Sequence, residues 1–156
     1  MRFVNKILVS GFCLSSFAMQ TTLSAEWVNE SISVNDATYV SKRPVLEKRA
    51  FVSSAGRKLD EVAAKIADDK LKWLFMNCFP NTLDTTVKIK IKDGYPDTFV
   101  ITGDINAMWL RDSSAQVQSY LSLAAEDEGL KEMIKGLINR QLDCILLDPY
   151  ANAFND

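Results

Sequence analysis

Asp127-Glu128-Gly129-Leu130-Lys131-Glu132-Met133-Ile134-Lys135-Gly136-Leu137-Ile138-Asn139-Arg140-Gln141-Leu142-Asp143-Cys144-Ile145-Leu146-Leu147-Asp148-Pro149 is the stretch on which the fold class turns. Its apolar side chains Leu130, Met133, Ile134, Leu137, Ile138, Leu142, Ile145 and Leu146 recur three or four positions apart, as one face of a helix requires. The spacing predicts a helix that begins near Asp127 and presents these side chains as an apolar stripe, which in residues 1–156 alone would lack neighbours. It ends before Pro149, which lacks the N–H that a helix needs.

Upstream, Val117, Tyr120, Leu121 and Ala124 form the inward face of a second helix, and Ser113 with Gln116 three positions later fits a capping box at its start. Thr86 to Ile91 alternates as a strand does. Lys92 to Asp97 then holds a glycine and a proline, read as a turn, and Thr98 to Thr102 is β-branched and aromatic, which makes a hairpin. Before it, Leu59, Val62, Ala63, Ile66, Ala67, Leu71, Leu74, Phe75 and Cys78 form one helical stripe between Ser53-Ser54 and Pro80. The order helix, hairpin, helix, helix is a mainly α design of amphipathic helices with a β-hairpin insertion, placed in residues 55–156. Residues 26–54 are polar, without a sustained period, and read as a leader wrapping that domain. There is no internal repeat or low-complexity tract.

Residues 1–25 read as a signal peptide. Arg2 and Lys6 precede an apolar run from Ile7 to Met19 that is too short to cross a bilayer as an ordinary helix, and Ala25 offers a small residue for cleavage. A lipoprotein reading would use Cys13, but Phe12 stands where that processing needs a small residue. Export to the periplasm or the exterior is the expectation, with no membrane attachment after cleavage.

The whole chain carries 18 basic and 20 acidic side chains; loss of residues 1–25 leaves 16 against 20, a net charge of −4. A nucleic-acid partner is not expected from such a balance. Histidine is absent and Cys78 and Cys144 are far apart, which argues against a zinc site and against a Ser-His-Asp triad. Neither a metal nor a cofactor is expected. A Cys78–Cys144 disulfide and two buried free thiols both remain open.

Polar chemistry concentrates where the second strand meets the second helix, in Gly103, Asp104, Asn106, Trp109, Arg111, Asp112 and Ser113. A sugar needs donors and acceptors for its hydroxyl pairs and an aromatic face for its C–H surface. Arg111, Asp112 and Trp109 would supply these. Equally, Asp112 could cap the helix, Arg111 could pair with a buried carboxylate, and Trp109 could be core. The loop Asp148-Pro149-Tyr150-Ala151-Asn152-Ala153-Phe154-Asn155 has the same two readings, since Asn and Asp after a helix are usual turn formers.

The runs Pro80-Asn81-Thr82-Leu83-Asp84-Thr85-Thr86, Pro96-Asp97-Thr98-Phe99, Gly103-Asp104-Ile105, Met108-Trp109-Leu110-Arg111-Asp112-Ser113, Arg140-Gln141 and Asp148 to Asn155, in this order, resemble glycoside hydrolase family 125, the metal-independent exo-α-mannosidases. The resemblance extends from about Arg43 to Asp156. It implies an (α/α)6 barrel, of which this chain would hold the N-terminal part, and inverting release of terminal α-1,6-linked mannose without a metal. An α-mannose-containing oligosaccharide is the implied partner, with Trp109, Arg111, Asp112, Asp104, Tyr150, Asn152 and Asn155 as its binding residues.

An inverting hydrolysis needs one carboxyl to protonate the leaving oxygen and a second to activate water, about 6.5–9.5 Å apart. The family's acid and base lie on segments after the Asp148 to Asn155 loop, so no catalytic residue is assigned within 1–156. Residues 1–156 alone are expected to be inactive and to fold poorly. The rival expectation is a non-catalytic carbohydrate-binding or scaffold module that keeps the pocket and lacks the acid and base.

Overall fold

A computed structural model describes residues 30–156 except 35, 36, 50, 52 and 53. The signal-peptide reading of 1–25 lies outside the described residues. Within them the chain is mainly helical with two small antiparallel hairpins: β1 (Ser31–Val34), β2 (Ala37–Val40), α1 (Ser54–Ala63), α2 (Asp69–Cys78), β3 (Val87–Lys92), β4 (Tyr95–Val100), α3 (Leu110–Val117) and α4 (Glu128–Leu147). Among the described residues no helix is long and apolar enough to cross a membrane.

The β1–β2 hairpin falls in the leader, where no period announced it, and its register pairs Ser31 with Val40 and Val34 with Ala37. The leader is then pinned to the helical part. Ser41 Oγ and the Lys42 N–H both donate to Asn77 Oδ1 of α2, and Arg43 Nε donates to Asp84 Oδ2 at 2.9 Å with both side chains largely buried.

The single helix expected from Leu59 to Cys78 is two. Asp68 turns its carboxylate back to accept from the Leu71 N–H at 2.7 Å, which starts α2 afresh after a break at residues 64–68. The apolar stripe is correspondingly divided: Leu59 and Ala63 are buried, whereas Leu71 and Leu74 are exposed.

The β3–β4 turn is tighter than expected. Asp93 and Gly94 both have positive φ, 52° and 85°, the geometry of a two-residue turn whose twist matches the flanking strands. Tyr95, Pro96 and Asp97, read as turn, are the first residues of β4; Ile91 pairs with Pro96 and Lys90 with Asp97. Proline is tolerated there, near the start of a strand.

The helix α3 starts three residues before the expected capping box, with Trp109 at its N-cap and no side chain capping it. Ser113 and Gln116 lie inside the helix. Ser113 Oγ donates to the Leu110 carbonyl and Gln116 Nε2 to the Ile101 carbonyl, so neither is available as a cap. Val117 and Tyr120 are buried as expected, Ala124 is half-buried, and Leu121 is exposed because the helix gives way to a 3-10 turn at Gln118–Tyr120. The Tyr120 hydroxyl donates to the Phe79 carbonyl, and burial pushes its phenol pKa up.

The last helix matches its sequence reading at both ends: Asp127 accepts from the Leu130 N–H at 3.0 Å, and α4 stops at Leu147, two residues before Pro149. Only part of its apolar stripe is covered. Leu130, Met133, Leu137 and Cys144 are buried, while Ile138, Leu142, Ile145 and Leu146 are exposed, forming a second apolar line on the other side of the helix. Cys78 is exposed and Cys144 buried, both as free thiols, so no bridge joins them and Cys78 is not the buried thiol that its stripe suggested. Burial pushes the Cys144 thiol up.

The core lies between α4 and β4, with Phe99, Val100, Met108, Tyr120, Leu130 and Met133 at its centre. Gly136 allows the two backbones to meet: a Cβ there would fall 2.4 Å from Thr98 Oγ1, 3.0 Å from Thr98 N and 3.1 Å from Asp97 N. The Thr98 hydroxyl could shift, but the strand backbone could not. Alanine would gain about 1 kcal/mol of helix propensity and lose about 1–3 kcal/mol to overpacking. Gly136→Ala should therefore lower the unfolding free energy of the intact protein by up to about 2 kcal/mol in urea titration; raised stability would contradict this close approach.

Candidate functional site

From the end of β4 the chain runs into a loop, residues 103–106, that is exposed throughout, then returns to the core at Ala107 and Met108. Thr102 closes this loop. Its N–H donates to the Ala107 carbonyl at 3.1 Å, and its hydroxyl accepts from the Trp109 N–H at 3.0 Å. The start of α3 is thus held directly at the mouth of the loop.

A second segment joins it from the far end of the chain. Met108 and Phe154 exchange backbone hydrogen bonds of 2.8 and 3.0 Å, and both side chains are buried. Asp148 prepares this return by accepting from the Tyr150 N–H at 2.9 Å, which turns the chain away from α4. The two polar motifs that the sequence separates are therefore neighbours in space.

A buried charge network underlies them. Arg140 of α4 grips Asp97 of β4 through two parallel bonds of 2.7 Å, Nε to Oδ1 and Nη2 to Oδ2, with side chains 12% and 4% exposed. Arg140 also reaches Asp156 at 3.4 Å, and Lys90 reaches Asp156 at 2.8 Å. The hydrogen bond from Lys90, with its charge and that of Lys88, holds the Asp156 carboxyl below the usual aspartate range despite some burial. Lys88 completes the link by donating to Asn106 Oδ1 at 2.9 Å in the exposed loop.

Above this floor the expected sugar-contacting residues are open to solvent. The Arg111 side chain is 90% exposed and Asp112 42% exposed, and they face each other at 3.4 Å. Asp104, Tyr150, Asn152 and Asn155 are exposed, and Trp109 is half-buried. Two of the structural readings fail here: no side chain caps α3, and the carboxylate beside Arg111 is not a buried one. An exposed neighbour pair of this kind contributes about 0–1 kcal/mol to stability. A cavity of about 890 Å³ opens between Lys92, the end of α4 and residues 151–155, but of the expected residues only Asn155 lines it. Among the described residues no three His, Cys, Asp or Glu side chains gather as a metal site.

The family model described as metal-independent alpha-mannosidase (GH125) matches residues 68–156, more than half of the chain. The chain belongs to glycoside hydrolase family 125. The Meiotically up-regulated gene 157 protein of Schizosaccharomyces pombe is 44% identical over 115 residues, which are 72% of this chain and 23% of that protein. A solved structure of a metal-independent alpha mannosidase from Streptococcus pneumoniae, in a non-productive substrate complex with alpha-1,6-mannobiose, is 48% identical with a TM-score of 0.58. It covers 66% of this chain and 24% of the other. This GH125 chain thus spans about a quarter of the length of the relatives it matches.

Sequence reasoning passed over Arg140, Asp97 and Gln141 as members of the site. A signal was there: Arg140 falls on the line Leu130, Met133, Leu137 and Cys144, the buried face of α4, and a charge on a core face requires a buried partner. Asp97→Ala, which leaves the Arg140 guanidinium with only its longer 3.4 Å contact to Asp156, should destabilise the intact protein by about 3 kcal/mol in urea titration. Arg111→Ala should change stability by less than about 1 kcal/mol in the same measurement. Equal effects would contradict this division between floor and surface.

Proposed function

We propose that the intact protein is an exo-acting α-mannosidase that releases terminal α-1,6-linked mannose with inversion, and that this chain supplies part of its sugar pocket. Family membership supports the α-mannosidase chemistry, and the Streptococcus pneumoniae relative, held with alpha-1,6-mannobiose, supports the linkage. The carrying observation is the pair Arg111–Asp112, displayed at a helix start without capping it and carried by the segment that the Met108–Phe154 bridge joins to the Asp148 to Asn155 segment.

The chemistry follows from what each group can do. A carboxylate accepts from two hydroxyls and a guanidinium donates to their oxygens, so Asp112 and Arg111 together fix one edge of a mannose ring. Trp109 offers an aromatic face to the C–H surface, while Asp104, Tyr150, Asn152 and Asn155 complete the rim. Groups that tighten as the ring distorts lower the barrier, and the acid and base of the inverting step are assigned to no residue of 1–156. No metal or cofactor is required by a two-carboxyl mechanism of this kind.

The rest of the reading is architectural. The exposed line Ile138, Leu142, Ile145 and Leu146 gives α4 a second apolar face, which neighbouring helices of an (α/α)6 barrel would cover. Export follows from residues 1–25 as a signal peptide, and the substrate is then an α-mannose-containing oligosaccharide outside the cytoplasm.

Asp112→Ala and Arg111→Ala in the intact protein should each lower kcat/KM on α-1,6-mannobiose by about 10- to 100-fold, the value of one charged hydrogen bond in the transition state. Their melting temperatures should stay close to wild type. Full activity in both variants, or losses that merely track unfolding, would refute the assignment.

A further inference from the structure

Gln141 lies next to Arg140 on α4, half-buried, and its amide reaches across to the first turn of α3. Its Nε2 is 2.9 Å from Ser114 Oγ, 3.0 Å from Ser113 Oγ and 3.1 Å from the Leu110 carbonyl. Both serines in turn donate to that carbonyl, Ser113 Oγ at 3.0 Å and Ser114 Oγ at 2.9 Å. Each serine hydrogen is therefore committed to Leu110, which leaves the serine lone pairs facing the amide. A primary amide has two hydrogens to give, one for each serine. The three side chains and one carbonyl close a ring of hydrogen bonds across residues 110–114.

That turn carries Arg111 and Asp112. Both project to solvent and bond to each other, so the backbone beneath them sets where they aim. With no side chain capping α3, the ring through Gln141 is the side-chain restraint that ties this turn to the rigid helix α4. We propose that Gln141 is a positioning residue that holds Arg111 and Asp112 in register with the sugar without touching it. This rests on the sugar-binding role given to that pair above. Misplacement by about 1 Å at a reacting site can cost on the order of 100-fold in rate, so a loosened turn would be felt in turnover well before it was felt in folding.

The test uses the intact protein, α-1,6-mannobiose as substrate, and a double-mutant cycle between Gln141→Met and Asp112→Asn. Methionine keeps the length of the side chain and removes every hydrogen bond that Gln141 gives to the ring, while the two serine bonds to the Leu110 carbonyl stay. Gln141→Met alone should lower kcat/KM by about 10-fold or more, whereas in the Asp112→Asn background it should cost less than about threefold, because the carboxylate that it aims has already lost its charge. A stability role alone would give the same factor in both backgrounds, and that result would overturn the proposal. Ser114→Ala, at an exposed position, removes one member of the ring with little risk to folding and should show the same dependence on Asp112 at smaller size. No effect of Ser114→Ala and Gln141→Met on kcat/KM would also overturn it. Wild-type turnover in Asp112→Asn itself is the distinct outcome that removes the sugar-binding reading beneath it.

Discussion

The bidentate bond between Arg140 and Asp97 is the constraint around which the rest of this chain is arranged. Two charges this deeply buried stabilise a fold chiefly while they hold each other, since without the pair each keeps only a longer contact, Arg140 to Asp156 at 3.4 Å and Asp97 to Lys90 at 3.8 Å. Their geometry fixes the rotation and height of α4 over β4, and Gly136 lets the helix come close enough for the bond to form. From the same helix Arg140 reaches on to Asp156 and Gln141 to the start of α3. One element thus sets the position of both polar segments.

The candidate site is a consequence of that arrangement. A loop leaving β4 and a segment returning after α4 meet at the Met108–Phe154 bridge, where hydrophobic burial and two backbone hydrogen bonds do the joining. The polar side chains that flank the bridge are then left on the surface. Stability is concentrated below, in apolar packing and the buried ion pair, and the groups proposed for recognition lie above it, exposed. Such a division lets the surface groups answer to a ligand.

The long helix was legible because its signals agreed: the Asp127 cap, the apolar period and Pro149 all marked the same element. Where local signals competed, sequence reading erred. Asp68 outweighed a continuous apolar stripe and split α1 from α2, and Asp93-Gly94 made the hairpin turn while Pro96 drew attention away from it. Ser113 and Gln116 had the spacing of a capping box, but their hydrogen bonds to Leu110 and Ile101 depend on contacts that lie inside the fold. The motif residues Trp109, Arg111 and Asp112 were recognisable one by one. Their proximity to residues 148–155 was not, because a bridge between distant segments leaves no local pattern, and the roles of Arg140 and Gln141 depend on partners in other elements.

The central claim is that Arg111 and Asp112 are displayed for a sugar. A crystal structure of the intact protein with α-1,6-mannobiose bound tests it most directly. The account predicts hydroxyls of a single mannose ring at about 2.7–3.2 Å from both the Arg111 guanidinium and the Asp112 carboxylate, with the 148–155 segment along the same sugar. A well-ordered disaccharide bound elsewhere, with both side chains still facing solvent, would contradict it.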